Sequence, residues 1–250
     1  MYTLKKSLGQ HFLKDDNICK KIVAAVEAEK PEQLLEVGPG GGAITRYLML
    51  LPDVSFKAVE LDAEKVQYLS ATYPQLKDKI IHESILDAAA PFEGPFHVVG
   101  NFPYNISTQI LFKILNWKGQ VPVITGMFQK EVALRIAAAP GSKVYGVTSV
   151  LMQAFYNVDY LFDVSEQAFN PPPKVKSGVI RLRRRQTPEP MRSDRSFTVL
   201  VKTAFNQRRK TLRNAVKPLF DDAVLKDDIF NKRAEQLSVR DFAELSFKMK

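Results

Sequence analysis

Asn101-Phe102-Pro103-Tyr104 carries the side chains best suited to grip a planar ring, and it follows an apolar run, Phe96 to Val99, and Gly100. An amide, a rigid turn and a flat aromatic at the end of a buried strand place a hydrogen-bond acceptor beside a stacking surface. Ligands of open α/β sheets bind at the carboxyl ends of the strands. A nucleobase out of its stack needs polar contacts to its edge and aromatic contacts to its face. The same four residues also satisfy an ordinary Asn-x-Pro turn, so their meaning depends on what surrounds them.

Three further groups bear chemistry. Gly38-Pro39-Gly40-Gly41-Gly42 follows a short apolar strand, Gln33 to Val37, and missing side chains there let a ligand approach the backbone. Glu60 ends the next strand 22 positions past Gly38, close to the ~20-residue offset at which an acid takes a ribose hydroxyl pair. This unit fits more than one nucleotide cofactor, since Gly38-x-Gly40-x-x-Ala43 also satisfies a dehydrogenase pattern. No Gly-Lys-Ser/Thr follows, which excludes a phosphate-cradling P-loop. Glu83, Ser84 and Asp87 form a polar turn after a third strand. Ala168 to Lys174, with three consecutive prolines, is either a spacer or a stiff holder that keeps Phe169 at fixed height over a pocket.

The elements that must position these groups alternate. Asp15 or Asp16 caps a helix with Ile18, Ile22, Val23 and Val26 on one face. The glycine turn leads into a second amphipathic helix with Ala43, Ile44, Tyr47, Leu48 and Leu51 inward. Helices over 63–71, 107–115 and 129–138 alternate with strands over 55–59, 79–82, 96–99 and 121–128, and late strands are expected over 158–164 and 175–182. This pattern predicts an α/β fold with a largely parallel sheet and an antiparallel strand at its end. Residues 183–194, with Pro188 and Pro190, read as a linker, and 195–250 as short helices. The expected division is therefore a catalytic domain over 1–182 and a small helical domain over 183–250. Residues 4–14 have no clear period and read either as a frayed terminus or as a segment folding over a ligand.

Composition narrows the partners. Of 250 residues 45% are hydrophobic and 25% charged, which suits a globular chain and excludes disorder throughout. No apolar stretch approaches the ~20 residues of a membrane span, and Met1 to Lys6 is no signal-peptide core, so a cytoplasmic protein, or a matrix one in a eukaryote, is expected. The lone Cys19 cannot form an internal disulfide, and His11, His82 and His97 show no ligand spacing, so no metal is expected. The +9 net charge lies wholly in the last 70 positions: residues 1–180 hold 18 basic and 18 acidic side chains, residues 181–250 hold 18 and 9. A neutral body with a basic tail reads as a polyanion grip. Arg208, Arg209, Lys210 and Arg213, expected around a helix with Leu212 and Val216 inward, are the candidate phosphate contacts; they position RNA without reading its sequence. The basic stretch Arg181 to Arg185 either shares that role or stays solvated.

Six spaced motifs carry a family resemblance: Gly9-Gln10-His11-Phe12-Leu13, Glu36-Val37-Gly38-Pro39-Gly40, Val59-Glu60-Leu61-Asp62, Gly100 to Ser107, Phe169 to Val175, and Arg208 to Asn214. In this order the chain resembles the rRNA adenine dimethyltransferases over nearly its whole length. The last two motifs resemble the small-subunit branch more than the antibiotic-resistance methylases of large-subunit rRNA. The resemblance implies a Rossmann-like fold, S-adenosylmethionine as cofactor, and two adjacent adenosines near the 3′ end of small-subunit rRNA as substrate. It also implies N6,N6-dimethyladenosine as product and an immature ribosomal subunit as partner, met by a monomer. By position, His11 and Leu13 line the cofactor site, Gly38 lies under the methionine part, Glu60 binds the ribose, and Asn101 stands between cofactor and base. The family usually has Asp where this chain has Ser84, at the contact to the cofactor's adenine, so either Ser84 or Asp87 takes that contact.

On this reading Asn101 and a carbonyl of its turn accept the two hydrogens of the adenine amine. Catalysis then runs by orientation and electrostatics without a general base. Tyr104 stacks on one face of the base and Phe169 covers the other. A dehydrogenase accounts for neither the Asn101 turn nor the basic tail, and an adenine deaminase needs a zinc set that is missing. A DNA adenine methyltransferase would share the pocket. The remaining alternatives are a ribosome-assembly factor with secondary or lost catalysis and a large-subunit methyltransferase.

Overall fold

The computed structural model describes residues 11–250. Gly9, Gln10 and the expectation for residues 4–10 lie outside that range. By its contacts the chain forms two compact units, one of residues 1–133 with 159–184, the other of 134–158 with 185–250. Residues 134–158, assigned by the sequence reading to the first domain, thus belong to the second unit. Within the described residues no helix is long and apolar enough to cross a membrane.

The first unit begins with a short strand, β1 (Phe12–Leu13), and α1 (Asp16–Glu27). Asp15 caps that helix by accepting from the Asn17 and Ile18 amides at 2.9 and 3.2 Å, and Cys19, Ile22, Val23 and Val26 fill its buried face. Then come β2 (Gln33–Val37), α2 (Thr45–Leu48), β3 (Ser55–Glu60), α3 (Ala63–Thr72), β4 (Ile80–His82), β5 (His97–Asn101), α4 (Ser107–Leu115) and β6 (Val123–Gln129). α2 is shorter than its apolar pattern predicts. Gly38, Gly40 and Gly42 all have positive φ, which holds the chain out of helical geometry until Ile44. α5 (Lys130–Ala137), α6 (Val147–Gln153), β7 (Tyr156–Val164), β8 (Phe169–Asn170) and β9 (Ser177–Arg184) follow.

Seven strands form one sheet in the order β4-β3-β2-β5-β6-β9-β7. The first five are mutually parallel, and β9 runs antiparallel to β6. The order reverses between β2 and β5, and such a switch point opens a crevice at the carboxyl ends of the strands. β1 pairs instead with β8, with Leu13 opposite Phe169 and Phe12 opposite Asn170. Arg181 and Arg183, on β9, bind Glu29 and Asp159, and Arg184 donates to the Lys118 and Gly119 carbonyls. This stretch is a paired strand and neither a linker nor a solvated basic run, because its guanidinium groups meet carboxylates and carbonyls of the same unit.

The second unit adds α7 (Asp194–Asn206), α8 (Leu212–Ala215), several single-turn helices and α9 (Val239–Phe247). Its core includes the aromatic series Tyr145, Phe205 and Phe242, with successive ring centroids 6.2 and 6.0 Å apart.

Two packing features shape the end of β5. Gly100 and Gly126 are cross-strand partners, and a Cβ on either would come within 2.8 Å of the Phe102 ring. The two bare backbones make room for that ring, which is fully buried and meets Phe128 edge-on at 5.0 Å. Glu36 lies buried in β2, and its Oε2 and the Thr45 hydroxyl have no hydrogen-bond partner. Burial pushes the Glu36 carboxyl up to about 8, and the Glu60 carboxylate adds to this. The nearby Thr45 hydroxyl pulls the other way without reaching hydrogen-bond geometry.

Gly126→Ala is expected to cost about 1–3 kcal/mol through overpacking against Phe102, read as a lower urea midpoint at unchanged m. For Glu36 the folded chain keeps its proton up to about pH 8, whereas the unfolded chain releases it near pH 4.3. The folded state therefore holds more protons in that window, and stability falls as pH rises through it. Unfolding midpoints of the ligand-free protein should decline across the window in wild type and decline less in Glu36→Gln. Equal slopes would mean that Glu36 ionises normally.

Candidate active site

A cavity of about 340 Å³ opens where the sheet order reverses. It brings together seven of the residues singled out in the sequence: His11, Leu13, Gly38, Glu60, Ser84, Asn101 and Tyr104. They come from β1, the turn after β2, the end of β3, the turn after β4 and the end of β5.

Gly38 has φ +68°, and a Cβ there would meet nothing within 4 Å. The bare backbone thus leaves room for a ligand, and an L side chain would be strained there. Glu60 is held by two amides, with Gly40 N–H donating to Oε2 at 3.1 Å and Asp62 N–H to Oε1 at 2.9 Å. Burial raises its pKa, and these two amide bonds oppose the rise. Each oxygen keeps lone-pair capacity for a diol. Ser84 lines the cavity with Glu83, Ile85 and Leu86, whereas Asp87 does not. The Ser84 hydroxyl accepts from the Leu86 amide at 3.2 Å and keeps its own proton to give.

The segment 11–14 is tied down along its length. Lys14 N–H donates to the Ala168 carbonyl at 2.8 Å, His11 Nδ1 lies 3.0 Å from the Pro171 carbonyl, and the Phe12 ring packs so close to Gly40 that a Cβ there would lie at 2.9 Å. Asn101 Nδ2 donates to the His11 main-chain carbonyl at 3.1 Å. Its Oδ1 bonds to nothing among the described residues. In the turn that follows, the Pro103 carbonyl accepts from Ile106 N–H and the Tyr104 carbonyl from the Ser107 hydroxyl. This leaves the Phe102 carbonyl as a free acceptor among the described residues. Tyr104 stacks on His11 with centroids 5.5 Å apart and 29° between planes, and its phenol bonds to the buried Ser177 hydroxyl. Burial raises the Tyr104 pKa and the Ser177 bond opposes this.

Phe169 does not line the cavity, which corrects the expectation that it covers the base. It is 1% exposed, sits opposite Leu13 in the β1–β8 pair and belongs to the unit's hydrophobic core. In this conformation its ring faces core side chains and offers no face to a ligand.

The basic residues lie in the second unit. Arg208, Arg209 and Lys210 sit in the turn between α7 and α8 and not around a helix, since α8 begins at Leu212. Arg208 donates to the Lys143 and Tyr145 carbonyls, and Arg213 Nε donates to the Leu225 carbonyl at 2.9 Å. Arg209 and Lys210 are exposed.

Three participants escaped the sequence reading. Glu36 lines the cavity with an orphaned oxygen, Phe102 anchors the Asn101 turn, and Ser177 holds the Tyr104 phenol. A signal existed only for Phe102, because glycine inside a strand pattern marks close approach, and Gly100 and Gly126 are two such glycines.

Comparison with known proteins agrees with this geometry. Residues 1–247 match the family described as ribosomal RNA adenine dimethylase. The chain is similar to the ribosomal RNA small subunit methyltransferase A of Cytophaga hutchinsonii, at 50% identity over 97% of this chain and 95% of that protein. It is likewise similar to the protein of the same name from Bacteroides thetaiotaomicron, at 53% identity over 97% and 92%. Among solved structures, a dimethyladenosine transferase from Plasmodium falciparum superposes with a TM-score of 0.78 over 96% of this chain and 99% of that one, at 23% identity, which shows a shared fold. The chain belongs to the ribosomal RNA adenine dimethylase family.

Proposed function

We propose that this protein transfers methyl groups from S-adenosylmethionine to N6 of two adjacent adenosines near the 3′ end of small-subunit rRNA, in the cytoplasm, during subunit assembly. Family membership together with relatives that are small-subunit methyltransferases supports the activity. The observation that carries the site is the convergence of seven expected residues on one cavity at the switch point of the sheet.

The residues present fit the cofactor. The side-chain-free Gly38, the amide-held Glu60 carboxylate and the orphaned Glu36 Oε2 supply contact room, a diol acceptor and a polar atom in need of a partner. His11, Leu13, Gly38, Glu60, Ser84 and Asn101 would hold it, with Ser84 and not Asp87 at the adenine. When bound, S-adenosylmethionine supplies an electrophilic methyl group on a sulfonium.

The chain's own task is to prepare the nucleophile. The exocyclic amine of adenine is weak because its lone pair is delocalised into the ring. Asn101 Oδ1 and the Phe102 carbonyl are placed to accept its two hydrogens, which lets the nitrogen become more tetrahedral and frees the lone pair. Asn101 cannot take a proton, so deprotonation accompanies or follows transfer, and the gain comes from orientation and fixed dipoles. The face of Tyr104 not covered by His11 is the stacking surface, worth about 1–3 kcal/mol.

The second unit supplies the grip on RNA. Arg209 and Lys210 are the exposed phosphate contacts, and Arg213 contributes the donors its Nε bond leaves free. Arg208 holds the 143–145 loop in place.

Tritiated methyl transfer to immature small subunits, followed by mapping of the modified nucleotides, tests the function. Asn101→Ala should abolish transfer while cofactor binding by calorimetry stays near wild type. Wild-type turnover in that variant would remove the mechanism. RNA affinity should fall steeply with salt, and Arg209→Ala or Lys210→Ala should each reduce the log–log slope by about 1. A salt response that is flat in wild type would count against the basic grip.

A further inference from the structure

Asn101 must present its amide oxygen to the target amine, yet a carboxamide turned by half a revolution fills the same space and presents a nitrogen instead. The fold resolves the ambiguity from a distance. Nδ2 donates to the main-chain carbonyl of His11, ninety positions earlier in the chain. A carbonyl has no proton to give, so only the nitrogen end of the amide can face it. The carbonyl is itself immobilised by the bond between His11 Nδ1 and Pro171, by the stack on Tyr104 and by the pairing of Phe12 and Leu13 with β8.

We propose that the His11 main-chain carbonyl is a positioning group for methyl transfer: by occupying Asn101 Nδ2 it fixes the amide oxygen toward the adenine amine. The segment that borders the cavity thereby also sets the polarity of the catalytic acceptor. This inference rests on the reading that Asn101 accepts from the exocyclic amine.

Asn101→Asp isolates the effect. If Asn101 serves only as an acceptor, an aspartate, whose oxygens are stronger acceptors, should work at least as well. If the His11 carbonyl must be satisfied, an ionised Asp turns a lone pair toward another lone pair, and only the protonated acid restores a donor. The titratable groups around that position are the His11 ring and Tyr104 on the near side and Glu36, Glu60 and Glu83 across the cavity. The three carboxyl groups carry no positive charge that would favour ionisation of the new acid.

Methyl transfer to immature small subunits is measured for wild type, Asn101→Asp and Asn101→Ala between about pH 5.5 and about pH 8.5, the range in which a raised carboxyl titrates. Cofactor concentrations are those that calorimetry finds saturating for each variant. The Asp-to-wild-type rate ratio should be down roughly 100-fold at the alkaline end. It should recover by up to about tenfold per pH unit on acidification, as one proton returns. A ratio that stays flat with pH, at any level, overturns the proposal. Wild-type turnover by Asn101→Ala would instead overturn the reading of Asn101 on which it rests, so the two failures are distinguishable.

Discussion

The bond from Asn101 Nδ2 to the His11 carbonyl joins the two halves of the site. One end of that bond belongs to the turn after β5, which the buried Phe102 ring pins into the space left by Gly100 and Gly126. The other belongs to a short segment that has no place in the main sheet and exists as structure through its pairing with β8. The burial of Phe169 follows from this. An aromatic at that position, opposite Leu13 and inside the core, supports the segment carrying His11, so its contribution to the site is indirect.

Most of the architecture was legible because its signals are local. Strand, glycine turn and helix repeat with their own periodicities, and Glu60 stands at a fixed offset from Gly38 because one βαβ unit has a fixed length. The convergence of seven candidate residues on one cavity follows from that regularity, since each closes a strand of the parallel sheet or lies beside such an end. The failures are equally physical. Whether Phe169 faces a ligand or the core depends on its partner Leu13, 156 positions away, and no periodicity reports that. The raised pKa of Glu36 depends on burial and on Glu60 across the β2–β3 ladder. The shortened α2 reflects three positive-φ glycines that override an apolar pattern.

The basic tail shows that charge and availability are separate quantities. Arg181 and Arg183 meet Glu29 and Asp159, and Arg184, Arg185, Arg208 and Arg213 donate to main-chain carbonyls. A guanidinium bound to a carbonyl keeps its charge, so the field that attracts a polyanion persists. The side chains free to follow a phosphate are fewer than composition suggests, and among the candidate contacts they concentrate at Arg209 and Lys210.

The second unit is built from two separated stretches of chain, and this orders events during synthesis. Residues 134–158 leave the ribosome well before their partners. Tyr145, buried beside Phe205, has its main-chain carbonyl bound by Arg208, 63 positions further on. At about 5–20 residues per second the nascent chain carries that aromatic uncovered for roughly 3 to 13 seconds. Phe242 arrives later still. Until then the newborn chain presents a sticky half-core to its surroundings, and how quickly translation proceeds through this interval sets how long that surface needs shelter.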